Sequence, residues 1–230
     1  MRLSDVYSGK VDSCVDAIGH LGYDVLKIIE SYKGQYFPDG PEKSTCFTQI
    51  INKDLNDTVY NYLNEKCNLA HFRDARQPYE YGIDLVLGWL IEDAVLALLK
   101  DKGKKAVLSG NDRYREFLSP QKISTQPDIE VRFNSGDRLL EIFSDWTSTW
   151  RNKNHADLRD NKYMKVKREK AIMLGIAPIT SEGFLIDFSK DEEGFEQNYV
   201  AAYRKMGYTF KGIRNILRPL EEVIEDLLSL

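Results

Sequence analysis

PDIEVRFNSGDRLLEIFSDW, residues 127–146, is the stretch whose reading decides the fold. IEVRF (129–133) alternates apolar and polar residues, the pattern of a half-buried strand. LLEIF (139–143) carries β-compatible residues, and NSGD (134–137) between the two runs is turn chemistry. The spacing predicts a β-hairpin. Period-two geometry sets Glu141, Phe143 and Asp145 on one face of the second strand, and Leu140, Ile142 and Ser144 on the other. Asp128 opens the first strand, so a short turn brings Asp128 and Glu141 to the same end of the sheet.

Two carboxylates at close range repel, and each raises the other's pKa unless a cation sits between them. A hard divalent ion accepts such oxygens, and Mg²⁺ uses one or two carboxylates while keeping several waters. The plain alternative is two acids that fall at strand ends by chance.

Upstream, GIDLVLGWLIEDAVLALLK (82–100) is apolar nearly all round, which predicts a buried helix, with Gly103 as its stop. Residues 10–32 carry apolar side chains at helical spacing, with Gly19 and Gly22 as interruptions; residues 33–47, with Gly34, Pro38, Gly40 and Pro41, read as a loop; residues 53–67 read as a helix. Downstream, ADLRDNKYMKVKREKAIML (156–174) reads as one long charged helix stopped by Gly175, and GFLIDF (183–188) as a strand. From about residue 193 two or three helices are expected, the last being PLEEVIEDLLSL with Pro219 at its start. The expected fold class is α/β (α+β): a central mixed β-sheet flanked by helices, with helical N- and C-terminal parts, in a single domain over residues 1–230.

Composition bounds the rest. The chain has 230 residues, 42% hydrophobic and 30% charged, which excludes wholesale disorder. No apolar run reaches the roughly 18 residues of a membrane span. The N-terminus, MRLSDVYSGKVDS, lacks the apolar core of a signal peptide, and three cysteines imply no disulfide framework, so a cytoplasmic protein without a membrane partner is expected. The net charge of −4 does not advertise nucleic-acid binding, although local patches and metal ions set the field at a site.

Pro127-Asp128 followed by Leu140-Glu141-Ile142-Phe143 resembles the PD-(D/E)XK nuclease superfamily, which includes many type II restriction endonucleases. The resemblance covers residues 82 to about 188. It implies a restriction endonuclease-like core in which a helix before the hairpin contributes another acid, offered here by Glu92, and a helix after the second strand packs on the sheet. One position departs from the pattern. The superfamily's lysine belongs two residues after the acid, where this chain has Phe143, and a phenyl ring cannot position a water. Some members draw the lysine from the adjacent helix, which here supplies Lys162, Lys165, Lys167 and Lys170. Lys162, at helical spacing from Leu158 and Val166, is the first choice and Lys165 the second. Each is otherwise a solvated surface lysine.

Glu92 has Gly88, Trp89, Val95 and Leu96 as its helical neighbours, so its carboxylate needs a metal-bound water, a metal, or an Arg or Lys partner. Asp93 is in a similar setting and is the weaker candidate. Asp145 either extends the acidic cluster or caps the loop that follows. Cys67 and His71 are four apart, but no CxxC or HxxxH pair supports zinc, and no GxGxxG, GxxxxGK[ST] or GxSxG motif is present. For phosphate or base contacts, TWRNKNH (149–155) offers Arg151, Asn152, Lys153 and Asn154 in a loop beside the Glu141 strand, and HFRDARQPYEYG (71–82) offers Arg73 and Arg76.

The resemblance implies a Mg²⁺-dependent endodeoxyribonuclease acting on double-stranded DNA, with Mn²⁺ able to substitute. Asp128 and Glu141 would hold the metal. A homodimer follows if the target is a palindrome. Two other readings stay open: a catalytically impaired DNA-binding protein, motivated by Phe143, and a repair or recombination nuclease.

Overall fold

The computed structural model describes residues 1–68, 76–110, 112–117, 126–190, 194–201 and 205–230. The chain forms two compact units, one from Met1–Ala97 with Asn111–Ser124, the other from Leu98–Gly110 with Thr125–Leu230.

The first unit is helical among the described residues: α1 (Asp5–His20), α2 (Val25–Glu30), α3 (Lys43–Ile51), α4 (Asp57–Cys67) and most of α5 (Pro78–Asp101). On α1, Tyr7, Val11, Cys14, Ala17 and Ile18 recur every three or four residues and are all buried. The helical spacing over 10–32 resolves into α1 and α2, divided at Gly22, while Gly19 lies inside α1. Asp24 caps α2 by accepting from Leu26 N at 2.9 Å, and Asn56 caps α4 by accepting from Val59 N at 2.9 Å. The expected loop over 33–47 holds only to Glu42, because α3 starts at Lys43. Phe37, Phe47, Tyr62, Trp89 and Phe117 form the aromatic centre of this unit, with ring centroids 5.1 to 6.4 Å apart. Cys14, Cys46 and Cys67 are buried free thiols; His71 lies outside the described residues.

The helix expected over 82–100 is α5, buried at Ile83, Val86, Leu87, Leu90, Ala94 and Leu99. It ends as expected. Gly103, at φ +76°, lets its own N–H reach Lys100 O and the Lys104 N–H reach Leu99 O, both at 2.9 Å. No helix among the described residues is long and apolar enough to cross a membrane.

The second unit carries the strands. Six of them order as β1-β2-β3-β5-β6-β9: β1 (Lys105–Leu108), β2 (Ile129–Phe133), β3 (Gly136–Ser144), β5 (Ile172–Ala177), β6 (Glu182–Asp187) and β9 (Arg218–Pro219). β3 and β5 are parallel and the other pairs antiparallel, so the sheet is mixed. Three more, β4 (His155–Arg159), β7 (Phe195–Val200) and β8 (Lys205–Lys211), form an antiparallel sheet in the order β4-β8-β7. Helices α6 (Thr149–Lys153), α7 (Asp160–Arg168) and α8 (Leu220–Ser229) complete the unit.

The predicted hairpin is β2–β3. Its register pairs Ile129 with Leu140 and Phe133 with Gly136, leaving Asn134 and Ser135 as the turn. One face of the large sheet carries Leu139, Phe143, Met173, Phe184 and Ile186 into a core shared with Trp150, Leu158, Tyr163 and Val166.

Four expectations are corrected. The single helix over 156–174 is strand β4, helix α7 and strand β5. HADLR alternates its burial and pairs with β8, whereas IMLGIA is buried at every position, and an interior strand of that kind leaves no periodicity to read. Gly175 is not a helix stop; it faces Phe184 across β5–β6, where a Cβ would meet the Phe184 ring at 2.1 Å. The C-terminal part is not mainly helical: β7 and β8 pair there, FEQNYV with KMGYTFK, and among the described residues after 193 the one α-helix is α8, which Pro219 precedes as expected. TWRNK, read as a loop, is the short helix α6.

Candidate functional site

β2 and β3 place the two acids as the hairpin spacing requires. Continuing their register by one residue beyond Ile129–Leu140 sets Asp128 level with Glu141. Asp128 is held on both sides. Its Oδ2 accepts from Ile142 N at 2.7 Å, and its carbonyl accepts from Ser109 N at 2.8 Å, which ties the start of β2 to the end of β1. Glu141 is 3% exposed, in the middle of β3 between β2 and β5.

The third member comes from α7. Lys162 Nζ lies 2.5 Å from Glu141 Oε1. Leu158 is not on this helix but on β4, so the apolar stripe used to choose Lys162 is shorter than expected: Tyr163 and Val166 are the buried residues of α7, and Lys162 sits one turn before Val166. Lys162 nevertheless extends to the acid. A charge-assisted contact of this length fixes both side chains. Lys165 is engaged elsewhere on the same helix, 3.0 Å from Glu169 on the surface.

Phe143, two residues after Glu141, joins the core, with its ring centroid 5.3 Å from that of Trp150. Asp145 is the loop cap of the two alternatives: Oδ1 accepts from Thr147 N at 2.9 Å and Thr147 Oγ1 at 2.8 Å, and Oδ2 accepts from Trp150 N at 2.7 Å. These bonds turn the chain from β3 into α6.

Glu92 and Asp93 belong to the first unit, and their cation is an arginine. Arg115, 1% exposed, bonds Glu92 Oε2 through Nη1 and Asp93 Oδ1 through Nη2 at 2.6 Å and Nε at 3.2 Å. Tyr32 Oη donates to Asp93 Oδ2 at 2.5 Å. Burial works against the guanidinium charge, but Glu92 and Asp93 outweigh it and hold the Arg115 pKa well above its ordinary value; burial and then Asp93 push the Tyr32 phenol up. Sequence reasoning asked for such a cation but did not find Arg115. Two adjacent acids on an apolar helix were the signal, and the separation of 22 positions from Asp93 to Arg115 hid the partner.

The residues considered for nucleic-acid contact divide. Arg151 is exposed and ion-paired with Glu182, and that hydrogen bond draws the Glu182 carboxyl below its usual range. Arg214 donates to the main-chain carbonyls of Arg151 and Asn152, the latter at 2.7 Å. Asn154, at φ +58°, is an anchor: its carbonyl accepts from Gly212 N at 3.0 Å and its Oδ1 from Arg214 N at 2.9 Å. Lys153 is exposed on α6. Arg76 pairs in the first unit with Asp84, which also holds Lys10 at 2.8 Å. Arg73 lies outside the described residues.

Sequence reasoning also missed a polar string beside Asp128. Gln126 Nε2 donates to Ser109 Oγ at 2.9 Å, and Ser109 Oγ lies 3.4 Å from Glu130 Oε1. Among the described residues no group of three or more His, Cys, Asp or Glu side chains is placed to hold a metal ion. The assembled unit is therefore two carboxylates and one lysine. No protein-family model matches this chain, and no curated protein matches it.

Proposed function

We propose that this chain is a Mg²⁺-dependent endonuclease of the PD-(D/E)XK type that hydrolyses phosphodiester bonds in double-stranded DNA. The observation that carries the reading is the ion pair of Lys162 with Glu141 on a strand level with Asp128. The lysine missing at position 143 has a replacement on α7, the helix that precedes β5, and a helix also precedes the hairpin, as the resemblance requires.

The donor set fits the ion. Mg²⁺ is satisfied by one or two carboxylates with water completing its octahedron, so a three-acid cluster is not needed. Asp128 and Glu141 are the residues that would hold it. When bound, the metal lowers the pKa of a coordinated water and offsets charge on the scissile phosphate. The chain supplies the rest. Hydrogen bonding from Ile142 N orients the Asp128 carboxylate. Lys162 Nζ, anchored by Glu141, carries the positive charge and the proton that orient an attacking water or meet the leaving oxygen. A palindromic target would call for a twofold homodimer, and the place of action would be the cytoplasm.

Phe143 favours a second reading. Its ring fills the core beside Trp150, and a DNA-binding protein without hydrolysis would tolerate that residue. Incubating the protein with long duplex DNA, with Mg²⁺, Mn²⁺ or EDTA, decides between the two. Discrete metal-dependent fragments, lost in Asp128→Ala, are expected. Intact DNA under every metal supports the second reading, and ragged, end-dependent digestion supports a repair or recombination nuclease.

A further inference from the structure

In the second unit, Lys100 and Lys104 near the end of α5, Lys105 on β1, Arg132 on β2, Arg138 on β3 and Lys170 after α7 line one groove of about 960 Å³. Three carboxylates, Glu130, Asp137 and Glu169, share its walls, so cations outnumber them two to one in a chain of net charge −4. Two of the six cations are engaged: Arg132 with Asp137 at 2.7 Å, and Arg138 with Asp187. Among the described residues Lys100, Lys104, Lys105 and Lys170 enter no ion pair, and Lys104 Nζ rests 5.5 Å from the centre of the Phe133 ring. Like charges gathered around a concavity repel one another, and an anion laid between them relieves that repulsion.

The distribution selects the kind of anion. The cations come from a helix end, three neighbouring strands and the exit of a second helix, so they follow an extended ligand rather than a single phosphate. Apolar Val107, 56% exposed, lies among them and offers a surface to sugars or bases. We propose that this groove binds the sugar–phosphate backbone of a polynucleotide strand.

The groove also has a direction. Glu130 pairs with Leu139 at its wall, and the next positions on the same face of β2 and β3 are Asp128 and Glu141, one pleat repeat or about 7 Å further on. A strand lying in the groove runs toward the Glu141–Lys162 pair. That direction rests on the nuclease reading; the binding rests on the groove's charge.

The test uses the full chain and labelled mixed-sequence oligonucleotides, single-stranded and duplex, with anisotropy read in EDTA between about 50 and 200 mM salt. Lys104→Ala with Lys105→Ala is expected to weaken binding about tenfold at the lower salt and to flatten the log–log salt slope by about 1.5. Unchanged affinity and slope overturn the proposal, as does a parent protein that binds neither oligonucleotide or binds only phosphatidylserine vesicles. Cleavage with Mg²⁺ is followed in parallel. Groove-dependent binding without cleavage upholds the groove and removes the nuclease reading. Cleavage and affinity both untouched by the double substitution overturn the groove and leave the nuclease reading standing.

Discussion

Two acid–base clusters in this chain look alike in sequence and differ in structure. In the first unit, Arg115 meets Glu92 and Asp93; in the second, Lys162 meets Glu141. The Arg115 side chain is 2% exposed and its planar fork is consumed by two carboxylates, one of which also takes the Tyr32 hydroxyl. The Lys162 side chain is 23% exposed while Glu141 is 4% exposed. The first is a closed knot that holds α5 to the segment around Arg115. The second is a sealed acid with a cation that still reaches solvent, the arrangement a proton-handling site needs. The acids of both clusters are shielded from solvent; what separates the two clusters is the exposure of the cation.

The largest effect is expected at the knot. Arg115→Met takes the shared guanidinium from two half-buried carboxylates, Asp93 keeping the Tyr32 hydroxyl, and stability should fall by about 3–5 kcal/mol in chemical denaturation. A loss under 1 kcal/mol would dissolve the contrast.

At the open pair, Lys162→Met should slow metal-dependent cleavage at least about a hundredfold. It should also cost about 1–3 kcal/mol of stability, because Glu141 keeps its burial without that cation. Adding Glu141→Gln should restore stability without restoring cleavage. Recovery of both would make the pair structural, like its counterpart.

Asp145→Ala removes three hydrogen bonds, one of them from the buried Trp150 N–H, and should cost about 1–3 kcal/mol with cleavage kinetics unchanged in whatever fraction remains folded. Loss of turnover in fully folded protein would return Asp145 to the acidic cluster.

Asp187 gives a pH signature. Burial raises its carboxyl, but bonds from Arg138 and Ser189 outweigh burial and leave it below its usual value. The ionised form therefore favours the fold above the unfolded value of about 3.9, and that contribution fades as pH falls through the lower folded value. Asp187→Asn should be about 1–2 kcal/mol less stable than the parent at pH 7, with the gap closing in melts below about pH 4. A gap that persists in acid would exclude ionisation as its source.

The smallest effect is expected at Lys165. Its exposed i,i+4 pair with Glu169 should make Lys165→Ala cost only about 0.3–0.5 kcal/mol, with no change in cleavage. A large loss of cleavage would move the lysine role from Lys162 to Lys165.

Much of the frame was legible in the chain. Alternation in IEVRF and the turn chemistry of NSGD predict the hairpin, and the all-round apolar run over 82–100 predicts α5 with its Gly103 stop, because these signals are local. The misreadings have one cause. Residues 156–174 and those after 193 include strands whose identity depends on partners far along the chain: β3 and β6 flank β5, and β4 and β7 flank β8. A buried strand such as IMLGIA carries no alternation, and charged KVKREK beside it lent the whole segment a helical look.

By itself, then, the sequence determined where the two acids stand: a period of two and a short turn set Asp128 level with Glu141 whatever surrounds them. Only the tertiary structure decided what meets them. Lys162 reaches Glu141 because α7 packs Tyr163 and Val166 into the core shared with the large sheet, and Arg115 reaches Glu92 and Asp93 because a distant segment folds back on α5. Contacts between residues remote in sequence are fixed by packing, and packing leaves no mark in the local order of residues.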